Sequence, residues 1–223
     1  MTVATNLAAI KEKIAKACEK VNRNVDEITI IGVTKYVTIE RTKELLATGN
    51  LDIGENRTEE MLKKYEEIGQ EAKWHFIGTL QSRKVRDVIG KVSAIHSLDR
   101  LSIAKQINNR SEEALDCFIQ VNVSEEASKH GLSVEEVIPF IEELASYEKV
   151  NIVGLMTMAP HIEDEAVLRD VFTQLRNLRD EIQAKSFAHA PCPYLSMGMS
   201  NDYEIAIEEG ATHIRLGTSL VGS

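Results

Sequence analysis

The chain has 223 residues, 43% of them hydrophobic and 27% charged, and it carries a formal net charge of −9 at pH 7. This size and composition predict one folded globular domain, or at most two small ones, and exclude a disordered chain. The acidic balance, without a cluster of Lys and Arg, argues against nucleic-acid binding, and no apolar run approaches the roughly 20 residues of a membrane-spanning helix.

Cysteine and histidine usage indicates a reducing compartment and no metal site. Cys18, Cys117 and Cys192 are far apart, so a disulfide framework is not expected. The six histidines include no H-E-x-x-H motif and no pair at ligand spacing, which argues against structural or catalytic metal. The first 20 residues lack the pattern of a signal peptide, so we expect a cytoplasmic protein that contacts no membrane.

Short β-rich runs alternate with longer amphipathic segments along the chain. The runs predicted as strands are 28–34, 51–54, 74–78, 92–96, 116–123, 150–156, 194–197 and 212–216. The segments predicted as helices are 7–21, 38–48, 57–68, 82–89, 99–110, 134–146, 163–184 and 202–209. Several of these helices end at a glycine, which is the usual residue just after a helix.

Strands that alternate with helices form a parallel sheet, and eight such units predict a closed (β/α)8 barrel of the TIM type. The helix at 7–21 precedes the first strand and is additional to the eight units. The second and seventh strands are short, so an open sheet of six or seven strands is the alternative if either fails to form. No linker or repeat divides the chain, which is expected to be one domain over 1–223.

In such a barrel, chemistry is carried by residues at the carboxyl ends of the strands. The residues found there are Lys35, 54–57, Gly78, Thr79, His96, Ser97, Asn122, Met156, Thr157, 198–201, Arg215 and 217–219. Lys35 closes an apolar strand, and burial of its ammonium there would favour the neutral, nucleophilic amine. The alternative is a lysine whose stem lies along the barrel while its ammonium reaches solvent.

Small residues follow the seventh and eighth strands. Gly198 and Ser200 precede a predicted helix, and Gly217 and Thr218 follow the last strand. Barrels often bind phosphate at these two loops, where glycine allows close approach of the backbone and a hydroxyl adds a donor. Each glycine alone could be an ordinary turn residue, but the two loops together favour a phosphate site.

A nucleophilic lysine and a phosphate site at one barrel mouth together suggest pyridoxal 5′-phosphate (PLP) as the cofactor. The same pair would also fit a Schiff-base aldolase that acts on a sugar phosphate. The position of Lys35 on the first strand does not distinguish these two functions, so the residues alone leave both open.

Several motifs carry a resemblance to a known family. They are Gly-Val-Thr-Lys at 32–35, Ile-Gly-Glu-Asn-Arg at 53–57, Trp-His-Phe-Ile-Gly-Thr-Leu-Gln at 74–81, His-Ser-Leu-Asp-Arg at 96–100, Val121-Asn122 with Glu126, Lys129 and Gly131, Gly-Leu-Met at 154–156, 195–202 and 210–218. In this order the chain resembles the pyridoxal phosphate homeostasis proteins, the YggS/PROSC family, which have an alanine-racemase-like barrel. The resemblance covers essentially the whole chain and implies a PLP barrel of fold type III.

The resemblance also implies roles for seven residues. Lys35 matches the lysine that holds PLP as an internal aldimine, and Arg215 matches the arginine that faces the pyridine nitrogen. The phosphate cradle and the remaining cofactor contacts correspond to Ser200, Gly217 and Thr218, with Asn56 and Met199. The resemblance assigns no role to His75, Asn122 and Lys129.

The chain departs from the family pattern at a few positions. Thr34 stands where serine is common, Arg83 replaces a frequent asparagine, and Val221 stands where phenylalanine is usual. The sequence also offers no helix after the last strand. We therefore expect the N-terminal helix to cover that flank of the barrel.

An arginine at the ring nitrogen favours the unprotonated pyridine, because two adjacent cations repel each other, and this weakens the stabilisation of carbanions. The eight units and the leading helix use almost all 223 residues, so we expect no second domain that would supply an opposing base. These considerations favour a protein that holds PLP without robust catalysis.

The function expected from the sequence is therefore PLP binding in vitamin B6 homeostasis, with possible transfer to PLP-dependent apoenzymes. A small PLP-dependent amino-acid racemase is the alternative, and a regulatory protein that PLP merely stabilises is a third. We expect a monomer or a weak homodimer.

Overall fold

A closed barrel of parallel strands forms the centre of the protein in the computed structural model, which describes residues 2–124 and 130–222. Each strand pairs with the next one in the chain, and the last pairs with the first. Over the described residues the strands are β1 Thr29–Val33, β2 Asp52–Glu55, β3 Lys73–Phe76, β4 Ala94–Leu98, β5 Leu115–Gln120, β6 Val150–Met156, β7 Tyr194–Ser196 and β8 His213–Leu216.

Helices surround the barrel and connect its strands. They are α1 Val3–Lys20, α2 Ile39–Ala47, α3 Thr58–Ile68, α4 Val85–Val88, α5 Leu101–Arg110, α6 Val134–Glu143, α7 Glu165–Ala184, α8 Tyr203–Glu208 and α9 Thr218–Val221. Gly49 and Gly210 follow α2 and α8 with φ angles of +86° and +106°, which glycine adopts without strain. This architecture confirms the predicted (β/α)8 barrel with an additional N-terminal helix.

The two short strands that decide between a barrel and an open sheet are both present. β2 pairs with β3 along all four of its residues. β7 pairs with β6 over three residues and meets β8 where Ser196 lies opposite His213. Ile53 of β2 and Leu195 of β7 are fully buried, and their burial stabilises two strands that have few backbone hydrogen bonds.

Two segments differ from the sequence prediction. The range 82–89 is not one helix, because a 3-10 turn at Ser82–Lys84 leads into the single turn of α4. β4 begins and ends two residues later than predicted, and its pairing with β5 shifts register between Ile95 and Leu98. As a result His96, which the sequence places at the carboxyl end of the strand, lies inside it.

The N-terminal helix covers one flank of the barrel, as predicted, by packing on α2, α8 and α9. Its buried face carries Leu7, Ile10 and Ile14. The expectation that no helix follows the last strand is wrong, because α9 forms one helical turn there. Burial of Leu220 beneath α1 holds this turn in place, and the Leu220 carbonyl accepts a hydrogen bond from Asn6 Nδ2 at 3.0 Å.

Polar side chains occupy part of the barrel interior. His96 of β4 contacts Ser196 of β7, and because these strands are not neighbours the contact crosses the barrel. His75 of β3 and Arg215 of β8 are also buried, at 6% and 4% exposure. Phe118 of β5 stacks on the His96 ring with centroids 4.1 Å apart. Apolar packing therefore surrounds a polar line through the barrel.

Helix length and polarity also bear on membranes. Within residues 2–124 and 130–222, none of the helices combines the length and the apolar character that a membrane span requires.

Candidate functional site

A cavity of about 450 Å³ opens at the carboxyl ends of the barrel strands. Its walls include all seven residues that the sequence nominates, namely Lys35, Asn56, Met199, Ser200, Arg215, Gly217 and Thr218. This volume lies within the range of small-molecule sites, and parallel barrels carry their sites at this end. The structure therefore brings these residues, which come from four separate segments of the chain, into one place.

Lys35 lies in the turn that follows β1, and its side chain is exposed. The expectation that an apolar barrel mouth buries its ammonium is wrong, because β1 ends at Val33 and the turn carries the lysine outward. Its Nζ lies 5.5 Å from the ring centre of Tyr36, a residue with a φ angle of +72°. This φ value is rare for an aromatic residue.

A buried ion pair supports the turn from below. Lys64 Nζ lies 2.6 Å from Glu55 Oε1, and both side chains are at most 5% exposed. Lys64 Nζ also donates to the carbonyl of Thr34 at 2.5 Å, while the Thr34 hydroxyl donates to Glu55 Oε1 at 2.6 Å. Two contacts to this ion pair therefore fix Thr34, the residue that precedes Lys35. Glu55 Oε2 has no hydrogen-bond partner in the part of the chain that the structure describes.

Sequence reasoning missed Lys64, although one signal was available. The buried residues of α3 are Thr58, Met61, Lys64 and Ile68, so the lysine falls on the apolar stripe of its helix. A charged residue on such a stripe is buried only where it has a partner. Glu55 belongs to a quoted motif, but its pairing with Lys64 depends on how α3 packs against β2.

The loop after β2 carries Asn56 to the cavity and requires a glycine beside it. A Cβ atom on Gly78 would lie 2.2 Å from the backbone oxygen of Asn56, a distance that no side chain tolerates. Gly78 thus lets the loops after β2 and β3 approach each other closely. This contact places Asn56 against the cavity rather than away from it.

The loop after β7 folds back on a buried carboxyl group. The Met199 N–H donates to Asp202 Oδ1 at 2.5 Å, and Asp202 is 7% exposed. Burial raises the pKa of Asp202, and the hydrogen bond from Met199 together with the charge of Arg215 offsets part of that rise. Gly198, with φ of +95°, allows the tight turn, since a Cβ there would lie 2.7 Å from Ala206 Cβ.

Hydroxyl groups from the loops after β7 and β8 meet at the cavity. Ser219 Oγ and Ser200 Oγ lie 2.9 Å apart, and Thr218 begins α9 with its side chain exposed. A Cβ built on Gly217 would meet only Val33, at 3.8 to 4.0 Å, so there is open space beside this backbone. An uncrowded backbone with hydroxyl donors fits a phosphate group.

Arg215 forms the buried floor of the cavity. Its Nη1 donates to Ser196 Oγ at 2.7 Å and its Nη2 donates to the Thr157 carbonyl at 2.8 Å. Burial lowers the pKa of Arg215 to about 10, and the charge of Asp202 counteracts part of this effect. The guanidinium is still protonated at neutral pH, so the floor is cationic. An arginine beneath a phosphate cradle and near a lysine is a donor set that fits PLP.

The residues that the resemblance left without a role lie in different places. His75 lies inside the barrel on β3 and does not line the cavity. Asn122 follows β5, and its N–H donates to the Leu132 carbonyl at 2.8 Å. Lys129 and Glu126 lie outside the described residues. His161, which the sequence reasoning did not single out, does line the cavity.

Metal ligation is a separate question. Across residues 2–124 and 130–222, no group of three or more His, Cys, Asp or Glu side chains is arranged to hold a metal ion.

Comparison with known proteins gives a family and a fold. The family described as "Alanine racemase, N-terminal domain" matches residues 5–223. A pyridoxal phosphate homeostasis protein of Aquifex aeolicus is 41% identical over 226 residues, which cover 100% of this chain and 98% of that protein.

Two solved structures share the fold. PipY from Synechococcus elongatus, with PLP bound, matches with a TM-score of 0.86 at 28% identity, over 99% of this chain and 100% of that chain. An alanine racemase of Clostridium difficile matches with a TM-score of 0.78 at 16% identity, over 98% of this chain and 56% of that chain. The second likeness concerns the fold alone. The sequence relative and the family match together establish that this chain belongs to the pyridoxal phosphate homeostasis proteins, which have an alanine-racemase-like barrel.

Proposed function

We propose that the protein binds PLP in the cavity at the barrel mouth and takes part in vitamin B6 homeostasis. The observation that carries this proposal is the meeting of Lys35, Arg215 and the loops of Ser200 and Thr218 around one cavity. The names of the relatives and the PLP bound to PipY support it. PLP supplies an aldehyde that a lysine amine attacks, and a phosphate that anchors the ring.

Each part of the cavity has a distinct task in this proposal. Lys35, whose amine is exposed at the cavity, would hold the cofactor covalently through its aldehyde carbon. Ser200, Thr218 and the backbone at Gly217 hold the phosphate through hydroxyl and N–H donors. Asn56 and Met199 line the space between these two points.

Arg215 limits the chemistry that the site performs. It is a cation fixed by two hydrogen bonds, and in this proposal it faces the ring nitrogen. A neighbouring cation disfavours protonation of that nitrogen, so the ring withdraws fewer electrons than it does beside a carboxylate. We infer that the protein stores and delivers PLP rather than turning over an amino-acid substrate.

The proposal extends to location and partners. Cys18, Cys117 and Cys192 are buried free thiols, and burial raises the pKa of each of them, which suits a protein of the reducing cytoplasm. The recipients would be PLP-dependent apoenzymes, which take the cofactor from a site that is open to solvent at Lys35. The protein would act as a monomer or a weak homodimer.

Titration with PLP tests the binding proposal. The wild-type protein is expected to bind PLP with a new visible absorption band, while Lys35→Ala and Lys35→Arg give none. The arginine variant keeps the positive charge but cannot form the covalent bond. Lys63→Ala, on the exposed side of α3, is the matched control and keeps the band. A band that persists in Lys35→Arg would overturn the proposal.

Two further assays separate storage from catalysis. Incubation of the PLP-loaded protein with a PLP-dependent apoenzyme is expected to restore that enzyme's activity. Chiral analysis after incubation with L-alanine or L-serine is expected to show no more of the other enantiomer than a Lys35→Arg sample gives. Turnover that depends on Lys35 would instead favour the small racemase.

A further inference from the structure

A line of buried polar side chains runs from the floor of the cavity to the opposite end of the barrel. Arg215 Nη1 donates to Ser196 Oγ at 2.7 Å, and Ser196 Oγ lies 2.9 Å from His96 Nδ1. His96 Nε2 lies 2.9 Å from His75 Nδ1. His75 Nε2 lies 2.9 Å from Asp52 Oδ1. Four consecutive hydrogen bonds thus join residues of β8, β7, β4, β3 and β2.

We propose that His75, His96 and Ser196 are positioning residues that fix the direction in which Arg215 presents its N–H groups to the cavity. We call this line of five side chains the relay. The proposal rests on the proposed function, because the group that Arg215 would serve is PLP. It goes beyond that function by assigning a role to two histidines that do not touch the cavity.

The two ends of the relay determine its hydrogen-bond order. Arg215 only donates, and the ionised carboxylate of Asp52 only accepts. A neutral imidazole has one donor and one acceptor. With both imidazoles neutral, one order satisfies all four contacts, in which Arg215 donates to Ser196, Ser196 to His96, His96 to His75 and His75 to Asp52. Both histidines then carry their proton on Nε2.

The surroundings of His96 favour the neutral form. Its ring is completely buried and stacks on Phe118. Burial lowers the pKa of His96 well below the usual value, and the nearby charge of Arg215 lowers it further. A protonated His96 would face the charge of Arg215 across one hydroxyl group. The histidine therefore serves as a neutral link and not as a second cation.

The anionic end of the relay is also held in one charge state. Burial acts to raise the pKa of Asp52, but the hydrogen bond from His75 and the nearby charge of Lys73 outweigh this, so the pKa lies below its usual value. The carboxylate borders a second, small cavity of about 110 Å³ at the lower end of the barrel, which Asp116 also lines. The relay is thus oriented between a cation and an anion at opposite ends.

The consequence for the cavity is a fixed guanidinium. With Ser196 donating its only proton to His96, its oxygen is available to accept from Arg215. If the order were reversed, Ser196 Oγ would accept from both His96 and Arg215, and it would lose the polarisation that donating its own proton to His96 provides. The histidines therefore control how strongly Ser196 holds Arg215, although they lie on the far side of Ser196.

Nitrogen NMR on the ligand-free protein tests the hydrogen-bond order directly. His96 is expected to be neutral with its proton on Nε2, and His75 Nδ1 is expected to accept that proton in a hydrogen bond. His75→Leu removes the acceptor for His96, and the His96 proton is expected to move to Nδ1, where Ser196 accepts it. His75→Gln retains one donor and one acceptor, so His96 is expected to stay as in the wild type. A wild-type His96 with its proton on Nδ1 would overturn the proposal.

PLP affinity tests the consequence for Arg215. Ser196→Ala removes the acceptor and is expected to weaken PLP binding about tenfold, as loss of a hydrogen bond to a charged group does. Ser97→Ala is the matched control, because Ser97 is 2% exposed and its hydroxyl has no partner among the described residues. His75→Leu is expected to weaken binding about threefold, and His75→Gln to restore it.

These experiments distinguish a failure of the relay from a failure of the proposed PLP binding. Equal weakening by Ser196→Ala and Ser97→Ala would overturn the relay while PLP binding stands. If the wild-type protein binds no PLP, the proposed function fails, and the nitrogen spectra still decide the order of the relay. If His75→Leu does not fold, the wild-type spectrum and the two serine variants decide.

Discussion

The two ends of the barrel both carry polar residues but differ in the size of their cavities. The upper end, where the strands finish, has a cavity of about 450 Å³ with an exposed lysine and two hydroxyl-bearing loops. The lower end has a cavity of about 110 Å³. There the rings of Tyr194 and His213 pack edge to face, with centroids 5.0 Å apart, and Phe118 packs edge to face on His213 at 5.2 Å.

The difference shows how one barrel separates binding from stability. At the upper end, a charged residue is left exposed at Lys35, and its turn is held by a buried ion pair that does not enter the cavity. At the lower end, the packing of Phe118 and Tyr194 around the His213 ring closes the barrel. The upper end can therefore exchange a ligand while the buried polar groups of both ends stay in place.

Breaking the buried ion pair between Lys64 and Glu55 is expected to have the largest effect on stability. Lys64→Met leaves Glu55 as an uncompensated buried carboxylate and is expected to lower the free energy of unfolding by about 3 to 5 kcal/mol. The measurement is urea unfolding at neutral pH. Lys63→Met, on the exposed neighbour that pairs with Glu60, is the control and is expected to change it by less than about 0.5 kcal/mol. Equal effects of the two variants would show that the ion pair does not hold the upper end.

Lowering the pH is expected to reduce the free energy of unfolding through His213 at the lower end. This loss begins at a higher pH than the range in which carboxylates take up protons. Burial lowers the pKa of His213 to about 3. The unfolded chain takes up a proton near the usual value of about 6.5, while the native protein does not, so stability is full above that pH and falls as the pH falls.

The comparison variant for this effect is His213→Asn. Between pH 6.5 and 5 the wild type is expected to lose about 1 to 2 kcal/mol of unfolding free energy through this residue, and the variant is expected to lack that part. Urea unfolding at several pH values measures both proteins. Parallel pH profiles for wild type and variant would contradict the account of the lower end.

A substitution at Thr218 is expected to have the smallest effect, and it tests whether this residue binds the phosphate of PLP. Thr218→Val removes one hydroxyl donor and keeps the size of the side chain, so PLP binding is expected to weaken about fivefold. Because Thr218 is exposed, thermal stability is expected to be unchanged. Pyridoxal, which has no phosphate, serves as the control ligand and is expected to bind both proteins equally. An equal loss of affinity for pyridoxal would show that Thr218 does not contact the phosphate.

The fold was predictable from the sequence because it depends on local patterns. Alternation of β-rich runs with amphipathic segments, and glycines such as Gly49 and Gly210 at helix ends, are signals within single elements. The end of the chain was predicted wrongly, because the turn of α9 depends on burial of Leu220 against α1, a contact between opposite ends of the sequence.

The composition of the cavity was also predictable, since the carboxyl ends of parallel strands meet at one face. The exposure of Lys35 was not, because it depends on where β1 stops and on the unusual backbone of Tyr36. The relay was not predictable either. His96 and Ser196 lie on strands that are not neighbours, and only the closure of the barrel brings them together.

The central claim is that Lys35 holds PLP covalently at the upper end of the barrel. The most direct measurement is borohydride reduction of the PLP-loaded protein, followed by digestion and mass spectrometry of the peptides. We expect one modified peptide, with the reduced pyridoxyl phosphate group on Lys35. Modification on a different lysine, or none at all, would contradict the account.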